Sequence, residues 1–100
     1  MGSEILDLKD ILGYYTGKRI LVTGGAGCIG SNLIRALLKA EPEKIIVIDD
    51  LSASFEWNLP KDDKVVFIRG SILNEEKMKR AFSFKPHYVF HLAAHFANQN

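Results

Sequence analysis

The sequence predicts an α/β fold in which helices cover both faces of a doubly wound parallel sheet. Three observations lead to this prediction. Apolar and helical segments follow in the order strand, helix, strand, strand, helix, strand; the strands are apolar at consecutive rather than alternate positions; and a glycine-rich segment joins the first strand directly to the first helix. Strands that are apolar on both faces are typical of a parallel sheet buried between helices.

The order of the strands follows from the handedness of the connections. Crossovers between parallel strands are right-handed. If strand two pairs with strand one, strand three lies outside it, and strand four falls on the other side of strand one. The expected order is therefore 3-2-1-4, and the chain reverses its direction across the sheet beside strand one. Ligands bind at such a switch point, at the carboxyl ends of the strands.

Composition excludes several classes of protein. The 100 residues are 47% hydrophobic and 25% charged, close to the average for globular proteins, with a net charge of +1. This balance gives no argument for nucleic acid or a membrane surface as a partner, and no apolar run approaches the roughly 18 residues of a membrane span. The single cysteine, Cys28, excludes an internal disulfide and favours a reducing compartment. Because no secretory signal pattern is visible, we expect a cytoplasmic protein.

Two segments are predicted along the chain. Residues 1–17 form a leader with an amphipathic helix, which spans residues 4–14 and ends near Gly13. Residues 18–100 form the α/β segment. The apolar positions of this leader helix recur at spacings of three and four and are Ile5, Leu8, Ile11, Leu12 and Tyr15.

The α/β segment begins with a buried strand over residues 19–23, which glycines end. A helix is predicted over residues 28–40, with Arg35 and Lys39 on its solvent side, and Pro42 prevents it from continuing. Its packing ridge is expected to contain Ile29, Leu33 and Leu37, with Ile34 and Leu38 beside them.

Three further strands are predicted over residues 44–48, 65–69 and 88–92. The stretch from 49 to 63 separates the first two of these and is rich in loop-forming residues. A second helix begins after Asn74, which we expect to cap it, and runs to about Phe84 before Pro86. Its charges suit the helix dipole, with acidic residues in the first turn and basic ones further along: Glu75, Glu76, Lys79 and Arg80.

Three glycines spaced three residues apart connect the first strand to the helix that follows it. Gly24 allows the tight turn out of the strand, Gly27 lets a pyrophosphate approach the backbone, and Gly30 lets the helix pack close to the sheet. The amides of Cys28 and Ile29 would then point at the phosphates, with the helix dipole behind them. A glycine-rich turn without a ligand is the alternative, but the strand before and the helix after it match the dinucleotide-binding pattern.

An acidic residue at the end of strand two supports the same interpretation. Asp49 lies 19 residues after Gly30, close to the expected offset of about 20, and can accept both hydroxyls of an adenine ribose. Asp50 follows it, and no Arg or Lys lies between Asp49 and Trp57 to receive a 2′-phosphate. NAD is therefore favoured over NADP. Asp50 is either a second ligand or an ordinary solvated turn residue.

These motifs resemble the extended short-chain dehydrogenase/reductase family. The resemblance lies in T-G-G-A-G-C-I-G-S-N-L at 23–33, I-D-D-L-S at 48–52 and K-P-H-Y-V-F-H-L-A-A at 85–94, and it extends over residues 18–98. Within the family the chain is most similar to enzymes that act on nucleotide sugars: UDP-glucose 4-epimerase-like enzymes, dehydratases and decarboxylases. The resemblance implies that residues 18–100 are the first, dinucleotide-binding half of a Rossmann domain.

The resemblance also implies which residues contact NAD. Asp50 to Ser54 would line the adenosine side, and small residues after strand four would let the cofactor lie flat. Where the family has an acidic residue that contacts adenine, this chain has Ser71, followed by Ile72. The residues expected at the cofactor are Gly24, Gly27, Cys28, Ile29, Gly30, Asp49, Asp50, Leu51, Ser52, Ala53, Ser54, Ser71, Ile72, Leu92, Ala93, Ala94 and His95.

No catalytic residue is expected in this chain. In the family, the Tyr-x-x-x-Lys pair and its Ser or Thr follow much later. Tyr14 and Lys18 have the same spacing but precede strand one. The resemblance thus implies that this chain is the N-terminal, cofactor-binding part of a longer, homodimeric enzyme with a nucleotide-sugar substrate. This part alone is expected to be inactive. The predicted reaction is epimerisation by transient hydride transfer; the alternatives are a dehydratase or decarboxylase, or a nucleotide-binding module without catalysis.

Three histidines recur at a spacing of four, but no metal site is expected, because His87 and His91 fall on a strand and His95 beyond it. We expect His91 to be a core residue and His95 to lie near the cofactor. The phenylalanines are expected to pack in the core or under a lid: Phe82, Phe84, Phe90 and Phe96. No role is predicted for Trp57.

Overall fold

The computed structural model describes residues 13–52 and 55–92, which form a four-stranded parallel sheet with helices on both faces. The strand order is β3-β2-β1-β4, which confirms the predicted order. The elements in chain order are β1 (Arg19–Thr23), α1 (Cys28–Leu38), β2 (Lys44–Asp49), a 3-10 helix (Glu56–Asn58), β3 (Val65–Arg69), α2 (Glu75–Ser83) and β4 (Tyr88–His91).

The parallel register brings the carboxyl ends of all four strands to one edge of the sheet. At that edge Thr23 of β1 pairs with Ile48 on one side and with His91 of β4 on the other. Asp49 of β2 pairs in turn with Arg69 of β3. The ends of β2, β1 and β4 are therefore neighbours, although they are far apart in the chain.

The core consists of two clusters, one on each face of the sheet, because successive strand residues point to opposite faces. The cluster under α1 contains Ile20, Val22, Ala26, Ile34, Leu37, Ile45, Val47 and Leu59. The cluster under α2 contains Leu21, Ile46, Ile48, Ile68 and Ala81. The central strands β1 and β2 are thus buried on both faces, as their continuous apolar sequences predict.

Helix α1 ends two residues earlier than predicted, and fewer of its apolar residues are buried than predicted. Ile34 and Leu37 are buried, but Ile29 is 76% exposed, so its expected place in the packing ridge is wrong. Ile29 lies in the first turn of α1 and belongs to neither core cluster. Arg35 and Lys39 are exposed, as predicted.

Helix α2 has the predicted cap. The Asn74 side-chain oxygen accepts a hydrogen bond of 3.0 Å from the Lys77 backbone N–H. Glu75 and Glu76 lie in the first turn, where negative charge offsets the partial positive charge of the helix N-terminus.

Strand β4 is an edge among the described residues, and it ends at His91 rather than at residue 92. Tyr88 and Val89 are 38% and 47% exposed. Phe90 packs against the cluster under α1 and Phe84 against the cluster under α2, whereas Phe82 is 48% exposed and belongs to neither cluster. Of the two positions expected for Phe82, the core is therefore wrong, and packing under a lid stays a prediction.

Two predicted features lie outside the described residues: the helix over residues 4–14, except its end near Gly13, and the packing of Phe96. In the part of the chain that the structure describes, no helix is long and apolar enough to cross a bilayer.

Candidate functional site at the carboxyl edge of the sheet

The segment from Thr23 to Gly30, called here the glycine loop, leaves β1 at the switch point of the sheet and leads into α1. Gly24 has a φ of +77°, a conformation that favours glycine, and its N–H donates a 2.8 Å hydrogen bond to the Ile48 carbonyl. The tight turn predicted at Gly24 is therefore confirmed. It holds the loop against the end of β2.

The other two predicted glycines face different surroundings. A Cβ at Gly27 would contact only the Gly24 carbonyl oxygen, at 3.6 Å, so this side of the loop is open. A Cβ at Gly30 would lie 2.5 Å from the same oxygen and 2.6 Å from the Cα of Gly25. Gly30 thus lets α1 pack on the glycine loop itself, whereas the sequence predicted close packing against the sheet.

Position 25 also requires glycine, although the spacing of the three predicted glycines does not show this. A Cβ at this position would lie 2.6 Å from Val47 Cγ1 and 2.8 Å from Ile34 Cδ1. Both side chains belong to the core under α1. Gly25 therefore serves packing, while Gly27 leaves space on the outside of the loop.

The N-terminus of α1 is suited to an anion. No side chain caps it, its first turn contains no acidic residue, and Cys28 and Ile29 are exposed. The first amides of a helix have no acceptor within the helix, and the dipole gives this end a partial positive charge. The predicted amide contacts of Cys28 and Ile29 are compatible with this geometry.

Asp49 lies beside the glycine loop, at the buried end of β2. Its Oδ2 accepts a 2.9 Å hydrogen bond from the Ala26 N–H, and its Oδ1 accepts one of 2.8 Å from the Leu51 N–H. A carboxylate has about four acceptor positions, so holding backbone amides is compatible with also accepting hydroxyl groups. Asp49 therefore connects the glycine loop to the segment after β2.

The residues after Asp49 form a turn. The exposed Asp50 accepts a 2.9 Å hydrogen bond from the Ser52 N–H through Oδ1, a contact typical of a turn residue. Leu51 has a φ of +63° and packs against the core under α1. Ala53 and Ser54 lie outside the described residues.

The turn after β3 reaches the same edge, because the Gly70 N–H donates a 3.1 Å hydrogen bond to the Asp49 carbonyl oxygen. The Ser71 hydroxyl accepts a 3.0 Å hydrogen bond from the Leu73 N–H. Ile72 is half-buried and packs against the core under α2.

His91 occupies the end of β4 rather than the core. It is exposed, so the core position expected for it is wrong. Its Nδ1 lies 2.8 Å from Thr23 Oγ1, and the Leu92 N–H donates a 2.9 Å hydrogen bond to the Thr23 carbonyl oxygen. The ends of β1 and β4 are joined there. The predicted residues Ala93, Ala94 and His95 lie outside the described residues.

His87 is at the opposite edge of the sheet from His91. Its Nδ1 accepts a 3.0 Å hydrogen bond from the Arg19 N–H at the start of β1. Within the ranges 13–52 and 55–92, no three His, Cys, Asp or Glu side chains are grouped so that they could hold a metal ion.

The segment between β2 and β3 contains a residue that sequence reasoning missed. The Asn58 Nδ2 donates a 2.9 Å hydrogen bond to the Ala26 carbonyl oxygen, and the Arg35 Nη2 donates one of 2.8 Å to the Asn58 carbonyl oxygen. An asparagine in a polar loop carries no sequence signal for such a contact.

An exposed aromatic pair lies nearby in the same segment. The rings of Phe55 and Trp57 are stacked, with centroids 4.4 Å apart and planes 10° apart, and the two residues are 55% and 75% exposed. A cavity of about 450 Å³ lies between this segment and β3, bordered by residues that include Trp57, Pro60 and Phe67.

The chain is similar to known proteins over most of its length. Residues 20–100 match the model of the NAD dependent epimerase/dehydratase family. The structure of epimerase Mth375 from Methanothermobacter thermautotrophicus superposes with a TM-score of 0.84 and 53% identity, over 92% of this chain and 27% of that one. Bordetella bronchiseptica WbmG, solved in complex with NAD and UDP, gives a TM-score of 0.74 and 42% identity, over 82% and 26% of the two chains.

A curated relative shows the same pattern. UDP-glucose 4-epimerase of Mycolicibacterium smegmatis is 40% identical over 79 residues, which are 76% of this chain and 25% of the relative. The chain thus spans about a quarter of the length of each of these three proteins.

Proposed function

Because this chain belongs to the NAD dependent epimerase/dehydratase family, we propose that it forms the NAD-binding front part of an enzyme that acts on a nucleotide sugar. One observation carries the proposal. The glycine loop is open at Gly27, with the uncapped N-terminus of α1 on one side and the carboxylate of Asp49 on the other. An open backbone beside a helix N-terminus accommodates a pyrophosphate, and the neighbouring carboxylate suits the hydroxyls of a ribose.

The residues present fit NAD. The amides of Cys28 and Ile29 would donate to the pyrophosphate, and Asp49 would accept from the adenine ribose while it braces the loop. Ser71 and Ile72 follow β3 on the adenosine side of the same edge. Gly24, Gly30 and Leu92 complete the described part of this site, together with Asp50, Leu51 and Ser52. NAD complexes are known for relatives such as WbmG, which supports this assignment.

Epimerisation is the proposed reaction. Bound NAD supplies reversible hydride transfer, and an epimerase that returns the hydride to its substrate does not consume the cofactor. The similarity to a UDP-glucose 4-epimerase supports both this reaction and a nucleotide-sugar substrate. Dehydration is the second candidate, since the family includes dehydratases by its description.

The reacting groups are proposed to lie outside these 100 residues. Tyr14 and Lys18 precede β1, at the edge of the sheet opposite the glycine loop, so the proposed cofactor site is out of their reach. A complete enzyme of this kind is proposed to be a cytoplasmic homodimer that needs neither nucleic acid nor a membrane.

Calorimetry on the protein that carries this sequence tests the proposal. We expect NAD to bind at least about tenfold more tightly than NADP, because a 2′-phosphate would meet the carboxylates of Asp49 and Asp50. Equal or tighter NADP binding would contradict the cofactor assignment. The product formed from UDP-glucose or UDP-galactose with bound NAD separates the two reactions: an epimerase gives the other sugar as an isomer, and a dehydratase gives a product that has lost water. NAD binding without any turnover favours a non-catalytic nucleotide-binding module.

A further inference from the structure

We infer that Asn58 is a positioning residue for the cofactor site, because its side chain holds the Ala26–Gly27 peptide group in the orientation that the pyrophosphate requires. The inference rests on the proposed function, since it concerns the glycine loop as a cofactor site. It starts from the hydrogen bond of 2.9 Å between the Asn58 Nδ2 and the Ala26 carbonyl oxygen, two groups 32 residues apart in the chain.

Ala26 is held on both sides. Its N–H donates to Asp49 Oδ2 at 2.9 Å, its carbonyl oxygen accepts from Asn58 Nδ2 at 2.9 Å, and the residue is fully buried. The Ala26 carbonyl and the Gly27 N–H belong to one planar peptide group. Asn58 therefore orients the peptide that enters Gly27, where the loop is open, immediately before the first amides of α1.

The backbone of Asn58 is itself held by hydrogen bonds. It ends the 3-10 helix, its N–H donates a 3.0 Å hydrogen bond to the Phe55 carbonyl oxygen, and the Arg35 guanidinium donates to its carbonyl oxygen at 2.8 Å. The next residue, Leu59, is buried in the core under α1. The backbone from which the carboxamide extends is thus held in place.

The chemistry of the contact requires an N–H donor. A carbonyl oxygen can only accept a hydrogen bond, so a carboxylate at position 58 would repel it, and an alanine would leave the buried Ala26 carbonyl without this donor. Asp49 ends β2, Asn58 ends the 3-10 helix, and both side chains bond to the backbone of Ala26. The residue proposed for the adenine ribose and the positioning residue Asn58 therefore hold the same point of the glycine loop.

The test compares Asn58→Ala and Asn58→Asp with the matched control Asn32→Ala in the protein that carries this sequence. Asn32 is an exposed residue of α1 whose contact, at 3.2 Å, is with the same Arg35. Three quantities are measured: the dissociation constant for NAD by calorimetry, the melting temperature without ligand, and hydrogen exchange of the amides of Ala26, Gly27 and β1.

We expect Asn58→Ala and Asn58→Asp to weaken NAD binding by about tenfold, the effect of one lost hydrogen bond. The amides of Ala26 and Gly27, which are hydrogen-bonded in the ligand-free protein, should exchange faster, while those of β1 remain protected. Asn32→Ala should change the dissociation constant by less than about twofold. The exchange result needs no ligand, so it tests the orientation of the loop separately from the cofactor.

Unchanged NAD binding in a folded Asn58→Ala variant would overturn the inference, as would faster exchange spread equally over β1 and the loop. If neither variant folds, Asn58 is required for folding and the inference is wrong. A wild-type protein that binds no NAD, with exchange at Ala26 and Gly27 still faster in both variants, would contradict the proposed function and leave the positioning role of Asn58 supported.

Discussion

Replacing Gly27 with valine tests whether the open side of the glycine loop is a ligand site. Gly27 has a φ of −75° and a ψ of 176°, an extended conformation that valine adopts without strain. The new Cβ would make only an ordinary van der Waals contact, at 3.6 Å from the Gly24 carbonyl oxygen. We therefore expect the free energy of unfolding to change by less than about 1 kcal/mol.

The cost of the substitution should appear in cofactor binding. An isopropyl group at Gly27 would occupy the space in which the pyrophosphate is proposed to approach the amides of Cys28 and Ile29. A hydrogen bond to a charged group contributes about 1.5–3 kcal/mol, so the loss of two such bonds is about 3–6 kcal/mol. This corresponds to an affinity for NAD that is about 10²- to 10⁴-fold lower.

The assay combines calorimetry with NAD and thermal unfolding without ligand, and Gly25→Val is its matched control. A Cβ at Gly25 would lie 2.6 Å from Val47 Cγ1 and 2.8 Å from Ile34 Cδ1, so this variant should lose about 1–3 kcal/mol or more of stability. A Gly27→Val protein that binds NAD within about threefold of the wild type would refute the reasoning. So would a Gly27→Val protein that unfolds as readily as Gly25→Val.

Three further predictions concern the site and the fold. Asp49→Asn should lower the free energy of unfolding by about 1–3 kcal/mol and weaken NAD binding, because the new amide group would face a backbone N–H. Urea unfolding and calorimetry measure the two effects, and an unchanged variant would contradict the role of Asp49 in bracing the loop. Asn74→Ala should cost about 1 kcal/mol of stability in urea unfolding, with NAD affinity unchanged, because it removes only the cap of α2. The segment of residues 1–100, expressed alone, should aggregate through the exposed edge of β4 and turn over no UDP-sugar. A product that is monomeric in sedimentation, unfolds cooperatively on heating and turns over a UDP-sugar would overturn this expectation.

The architecture follows from local patterns in the sequence. Central strands that are buried on both faces must be apolar at consecutive positions, and right-handed crossovers leave few strand orders, so the order β3-β2-β1-β4 followed from local patterns. The glycine spacing identified the loop at the end of β1, because the turn at Gly24 and the close approach at Gly30 depend on the local backbone. Asn74 likewise predicted the start of α2, because a capping residue bonds to a residue only three positions away.

The side chains that meet are set by the tertiary structure. Helical periodicity identifies the apolar face of α1, but it does not say which turns other elements cover, and Ile29 is left exposed. His91 and Asn58 make their contacts with residues more than 30 positions away, with Thr23 and Ala26, and such pairings leave no local signal. Gly25 is fixed by Val47 and Ile34 in the same way, because close packing depends on neighbours that the fold alone brings together.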